Sequence, residues 1–114
     1  MARRQAVRRV EGEFPLVPAA DVARARVLEV PWLTPGVAAM TLGRLILLRR
    51  DHVGDGPLLA HELVHVRQWR ELGAPRFLWR YLGAYARGRR AGLGHAGAYR
   101  AIPLEVEARE LAGR

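Results

Sequence analysis

The run "AHELVHVRQW", Ala60 to Trp69, sets two histidines, a glutamate, an arginine and a glutamine among apolar residues. It falls inside an expected helix that opens on Pro57, a residue suited to a first helical turn. The helix ends near Leu72, with Gly73 and Pro75 as its stop. His61 and His65 are four residues apart. On a helix of about 3.6 residues per turn they sit about 40° apart, one above the other on a single face. Two imidazoles so placed can hold one zinc ion, with bonds of about 2.0–2.1 Å. Glu62 is turned by about 100° from His61, where it can reach a zinc-activated water without displacing it and take its proton as general base. The pattern is H-E-x-x-H. The plainer reading makes both histidines ordinary, partly buried helix residues.

A hydrolytic zinc site needs a third protein ligand and an open fourth position. The chain has no cysteine, which excludes disulfides and thiolate ligands alike. The extended metzincin pattern needs glycine at 68 and histidine at 71, whereas this chain has Gln68 and Glu71. His52 and His95 are the remaining histidines. The carboxylate candidates lie in "IPLEVEARE", Ile102 to Glu110, on an expected helix further down the chain.

With 114 residues, half of them hydrophobic, the chain suits one globular domain with a single modest core. Its longest aliphatic string, Leu45 to Leu48, is strand-sized, far short of the roughly 18 residues that span a bilayer. The start, "MARRQAVRRVEGEF", carries positive charge, but Glu11 and Glu13 fall where a signal sequence needs an apolar core. The expectation is a cytoplasmic protein, with peripheral membrane contact as its variant. All 19 basic residues are arginine, and the formal net charge is +8. That excess suits an acidic partner: nucleic acid, an anionic membrane or an acidic substrate.

Along the chain, residues 1–13 read as a basic flexible arm and 14–114 as the single domain. "FPLVP" reads as extended through its prolines, and "ARVLEV", Ala25 to Val30, as a strand ended by Pro31. "VAAMTL" and "LILLRR" flank Gly43-Arg44, a pair suited to a type II′ hairpin turn. The second arm is apolar at consecutive positions, as in a strand covered on both faces. A second helix over about Pro75 to Arg87 gathers Phe77, Leu78, Tyr81, Leu82 and Tyr85 on one face. Residues 88–97 read as a loop, and Pro103 to Ala112 as a short last helix. Two or three strands followed by three helices give an α+β order.

H-E-x-x-H followed by a helix carrying E-x-x-A or E-x-E-A resembles the gluzincins, zinc peptidases whose third ligand is a glutamate on a separate helix. The wider run from "DVARARVLEV" through "AMTLGRLILL" to "LLAHELVHVRQW" resembles small bacterial HExxH domains and, in size, the minigluzincins. The resemblance covers roughly Asp21 to Arg109, and its HExxH portion is the most specific. It implies a zincin-like domain, with a two- to three-stranded antiparallel sheet packed on the HExxH helix and two further helices. It also implies zinc, held by His61, His65 and Glu105, the glutamate three residues before Ala108. Glu107 is the fallback ligand, about 200° around the helix from Glu105. Many gluzincins carry an acid after that alanine; Arg109 stands here, which leaves open what orients the zinc histidines.

The implied reaction is metallopeptidase cleavage of a peptide or protein, with Glu62 as base and then acid. An extended substrate is expected along a sheet edge formed by Val37–Leu42 or Leu45–Arg49. Tyr99 and His95, shortly before Glu105, are candidate donors to the oxyanion. Gln68 could bond a neighbouring ligand or backbone, and Trp69 is expected in the core. Three rivals stand beside the peptidase: a zinc-binding protein without turnover, a latent peptidase, and a basic module whose aromatic, arginine-rich helix lies on an anionic membrane. A nucleic-acid role has charge alone behind it, since the chain has no recognition-helix, zinc-finger or RNA-binding motif.

Overall fold

The structure, a computed structural model, describes residues 7–113. "FPLVP" is a turn rather than an extended run: the Val17 amide donates to the Phe14 carbonyl at 3.1 Å. Pro15 holds the second turn position, which its fixed φ favours, and the reversal drops Val17 into the core. Helix α1, Ala19–Arg24, follows and leads into strand β2, Arg26–Val30.

Strands β3, Ala39–Leu42, and β4, Leu45–Arg49, form the expected hairpin, with Leu42 opposite Leu45. Gly43 takes φ +65° in the first turn position, which a side chain would resist. The sheet differs from the expectation of two or three antiparallel strands. Among the described residues it has four, in the order β1-β2-β4-β3, with β1 formed by Arg8–Arg9. β2 and β4 run parallel, Arg26 beside Leu45 and Val30 beside Arg49. The cause is a crossover: residues 31–38 carry the chain past the place of β4 to the outer edge, so β4 returns alongside β2 in the same direction. β4 is therefore internal, and β3 is one of the two edge strands, with β1 the other. Only one face of β4 is fully covered, since Ile46 and Leu48 are buried but Leu45 and Leu47 are half-buried. Residues 1–6 of the expected flexible arm lie outside the described residues. Arg8 and Arg9 are docked as an antiparallel strand on β2, and Arg8 pairs with Glu29 at 3.1 Å.

Helix α2 spans Gly56–Leu72. Asp55 caps it by accepting from the Leu58 amide at 3.1 Å, and Gly73 ends it at φ +78°. Its Leu58, Leu63, Val64 and Val66 join Val27, Ile46 and Leu48 of the sheet in the core. Helices α3, Ala74–Arg90, and α5, Pro103–Ala112, pack against its other sides. Six consecutive residues, His61 to Val66, are consequently buried, polar ones included. Between α3 and α5, part of the expected loop folds as helix α4, His95–Arg100. Two clamps fix this stack. Asp21 of α1 accepts both Nε and Nη2 of Arg70 on α2, at 2.6 and 2.9 Å. Trp69 stacks on Phe77 of α3, with ring centroids 4.2 Å apart. The whole is a small α+β domain with a mixed sheet, and no helix among the described residues is long and apolar enough to cross a membrane.

Candidate metal centre

The helical spacing of His61 and His65 brings their ring centroids to 5.0 Å. α5 crosses α2 with Glu105 in its first turn, where the partial positive charge of a helix N-terminus favours a carboxylate. Glu105 Oε1 lies 2.8 Å from His61 Nε2, and Oε2 lies 3.1 Å from His65 Nε2. The three donors fall within 4.8 Å of one another, and all three residues are buried. Tetrahedral ligands at about 2.0–2.1 Å from a zinc ion stand about 3.3 Å apart, so a small spreading of these side chains would admit one. The donor set fits a metal ion chemically as well. Two imidazoles and a carboxylate are ordinary zinc ligands, and a dication would offset the charges of Glu105 and the adjacent, buried Glu62.

A second layer of contacts holds the donors. Gln68, only 2 % exposed, faces the next turn of α2 and reaches across to α5. Its Nε2 donates to the Leu104 carbonyl at 3.0 Å and to Glu107 Oε1 at 2.7 Å. Those two acceptors fix the orientation of the amide, so Gln68 Oε1 must accept from His65 Nδ1, 2.7 Å away. The proton on Nδ1 leaves Nε2 turned toward Glu105. Arg67 anchors Glu107 at 2.9 Å. Glu107, the fallback ligand, thus reaches the cluster through Gln68, while Glu105 is the carboxylate that stands against His61 and His65. Arg109, where many gluzincins have an acid, donates instead to the Arg100 carbonyl.

Two neighbours were not foreseen as site residues. Tyr81 of α3 donates its hydroxyl proton to Glu105 Oε2. Burial, then the charge of Glu105, pushes its phenol far above the ordinary range, so it remains a donor. Thr41 of β3 donates to Glu62 Oε1 at 2.8 Å and also approaches the Glu62 carbonyl oxygen at 3.2 Å. Tyr81 was visible as one of an i, i+4 aromatic series with Phe77 and Tyr85. Thr41 gave no signal, because only the packing of β3 on α2 brings it to Glu62.

The charges inside are strongly coupled. Burial pushes the Glu105 carboxyl up, but hydrogen bonds from His61, His65 and Tyr81, with the charge of His65, outweigh it and hold the group far down. Burial pushes Glu62 up and wins against the opposing histidines and Thr41. Burial disfavours a charged His65, yet Glu105, Glu62 and Gln68 together raise its affinity for a proton.

Among the other sequence candidates, Tyr99 reaches the cluster. The residue is 39 % exposed, but its hydroxyl interacts with Glu105 and Tyr81. Burial, followed by the charges of Glu105 and Glu62, drives its phenol above the ordinary range. His95 is held elsewhere: as the first residue of α4 it meets the Tyr85 hydroxyl through Nδ1 at 2.9 Å, away from the cluster. His52 pairs with Arg49 at 2.9 Å, between the sheet and the start of α2. A cleft of about 930 Å³ lined by Phe14, Val22 and Arg67, and a smaller apolar one of about 300 Å³ between Leu16, Pro57 and Leu111, are both lined without His61, His65 or Glu105.

Comparison with known proteins adds a family match over part of the chain. A model described as the eCIS core domain, eCIS denoting the extracellular contractile injection system, matches residues 32–73. The matched segment holds β3, β4 and all of α2, and with them Thr41, His61, Glu62, His65 and Gln68; Tyr81 and Glu105 lie beyond it. No curated protein and no solved structure matches the chain.

Proposed function

We propose that the protein is a zinc-dependent peptidase with a zincin-like site, in which His61, His65 and Glu105 hold the ion. The observation that carries this reading is the convergence of Glu105, 44 residues away in sequence, on the Nε2 atoms of a buried H-E-x-x-H pair. A zinc ion there supplies Lewis acidity, which activates water and polarises a carbonyl. The protein's own groups do the rest. Thr41 occupies Glu62 Oε1, leaving Oε2 to receive a proton from the attacking water and return it to the leaving amine. The upward shift of Glu62 brings its basicity closer to what proton transfer near neutral pH requires. Tyr81 and Gln68 keep Glu105 and His65 in place. Tyr99, at the rim with its hydroxyl turned inward, is the donor proposed for the oxyanion. β3, the edge strand that touches Glu62, is the one along which a peptide would extend.

Metal analysis of the purified protein tests the site. One zinc per chain is expected, lost in His61→Ala; a metal-free intact protein would end the proposal. A peptide-library digest then tests turnover, with Glu62→Gln expected to keep the metal and lose about 10²–10⁴-fold in rate. Equal cleavage by both proteins would assign the activity to a contaminant. A zinc-binding protein without turnover is the second reading, favoured by the burial of all three donor residues. It is distinguished by full zinc occupancy with no cleavage. The eCIS core match supports an association with an injection-system particle, testable by co-purification from cells that make one.

A further inference from the structure

α3 presents two opposed faces. Phe77 and Tyr81 point inward to His65 and Glu105. At about 100° per residue, Trp79 and Leu82 lie on the opposite side, with Leu78 beside them. Trp79 is 81 % exposed, Leu82 59 % and Leu78 42 %. Arg76, Arg80 and Arg87 run along one flank of this apolar crest, and the helix, APRFLWRYLGAYARGRR, contains five arginines and no acidic residue. No carboxylate among the described residues pairs with Arg76, Arg80 or Arg87.

We propose that the outer face of α3 docks on an anionic phospholipid surface, with Trp79 and Leu82 entering the headgroup layer and the flanking arginines binding lipid phosphates. The commitment to lipid rests on the pairing of the two features. A polyanion such as nucleic acid needs the arginines but gives an exposed crest of tryptophan and leucine nothing to enter. At a bilayer surface, an indole settles at headgroup depth and arginine stems lie along the apolar boundary while their guanidinium groups remain in the polar layer. Unbroken positive charge complements anionic lipid over the length of the helix. The proposal is independent of the metal site, although one helix serves both: α3 would stand between the bilayer and the donor cluster.

Co-sedimentation with phosphatidylcholine vesicles, with and without phosphatidylglycerol, tests it. The full-length protein is expected to bind the mixed vesicles at low salt, to leave them at high salt, and to ignore pure phosphatidylcholine. Trp79→Ala is expected to weaken binding about tenfold. Arg76→Gln, Arg80→Gln and Arg87→Gln are expected to weaken it about fivefold each. Trp32→Ala, removing a side chain that is 74 % exposed on the loop before β3, is expected to change nothing. All of these positions are exposed, and unchanged thermal unfolding would show that the variants remain folded. Failure to bind mixed vesicles overturns the proposal, as does equal binding by Trp79→Ala. Retention on duplex DNA without retention on vesicles would assign the arginines to nucleic acid and overturn it too.

Discussion

Gln68 spends its carbonyl on His65 and both amide protons on α5, so one uncharged side chain fixes an imidazole and joins two helices. Gln68→Ala frees the His65 ring to rotate and leaves the Leu104 carbonyl and Glu107 without that donor. Zinc affinity is expected to fall about 10–100-fold by competition with a chelating dye. Thr41→Val acts differently, because Thr41 touches the proposed base and none of the donors. Its hydrogen bond lowers the Glu62 proton affinity against the dominant effect of burial. Removing it raises that affinity further, so the acidic limb of the kcat/KM profile is expected to move to higher pH with metal content unchanged. His61, Glu62 and His65 were legible because one helix fixes their relation. Glu105 was legible only by resemblance, as no periodicity links residues on separate helices. The roles of Thr41 and Tyr81 depend on three-dimensional neighbours that a linear pattern does not encode, whereas Gln68, one turn beyond His65, was already a candidate to bond a ligand or backbone.

Elements show the same division between local and distant causes. The Gly43-Arg44 hairpin, α2 and α5 follow from turn glycine, prolines and caps acting within a few residues. α1 and α4, six residues each, are too short for a helical period to stand out. The parallel β2–β4 pairing escaped because it joins strands separated by another strand. The element that secures α1 is the Asp21–Arg70 clamp. The Arg70 hydrogen bonds hold the Asp21 carboxyl below its usual value of 3.8, against the opposing effect of burial. A depressed acid stabilises the fold above its unfolded pKa, and that contribution is lost as pH falls through the folded one. Asp21→Asn is therefore expected to lower the unfolding midpoint by about 5 °C at neutral pH, a gap closing only below about pH 4. A gap that persisted unchanged into stronger acid would assign the loss to packing rather than to charge.

For the molecule as a whole, stability and metal loading are expected to be one property. Without an ion the buried carboxylates of Glu62 and Glu105 rely on their histidine and hydroxyl neighbours. An ion that binds only the folded chain adds about 4 kcal/mol at a free concentration a thousandfold above Kd. Calorimetry with zinc and with a chelator is expected to show that gain as a higher midpoint. Equal midpoints would mean that the donors are not loaded. Two of the three proposed ligands are carried by α2 in the middle of the domain and one by α5. Undocking of α5 would strip one ligand from an ion held between them, so the escape rate of such an ion is expected to rise with the opening of that helix, readable by isotope exchange in a protein that otherwise stays folded.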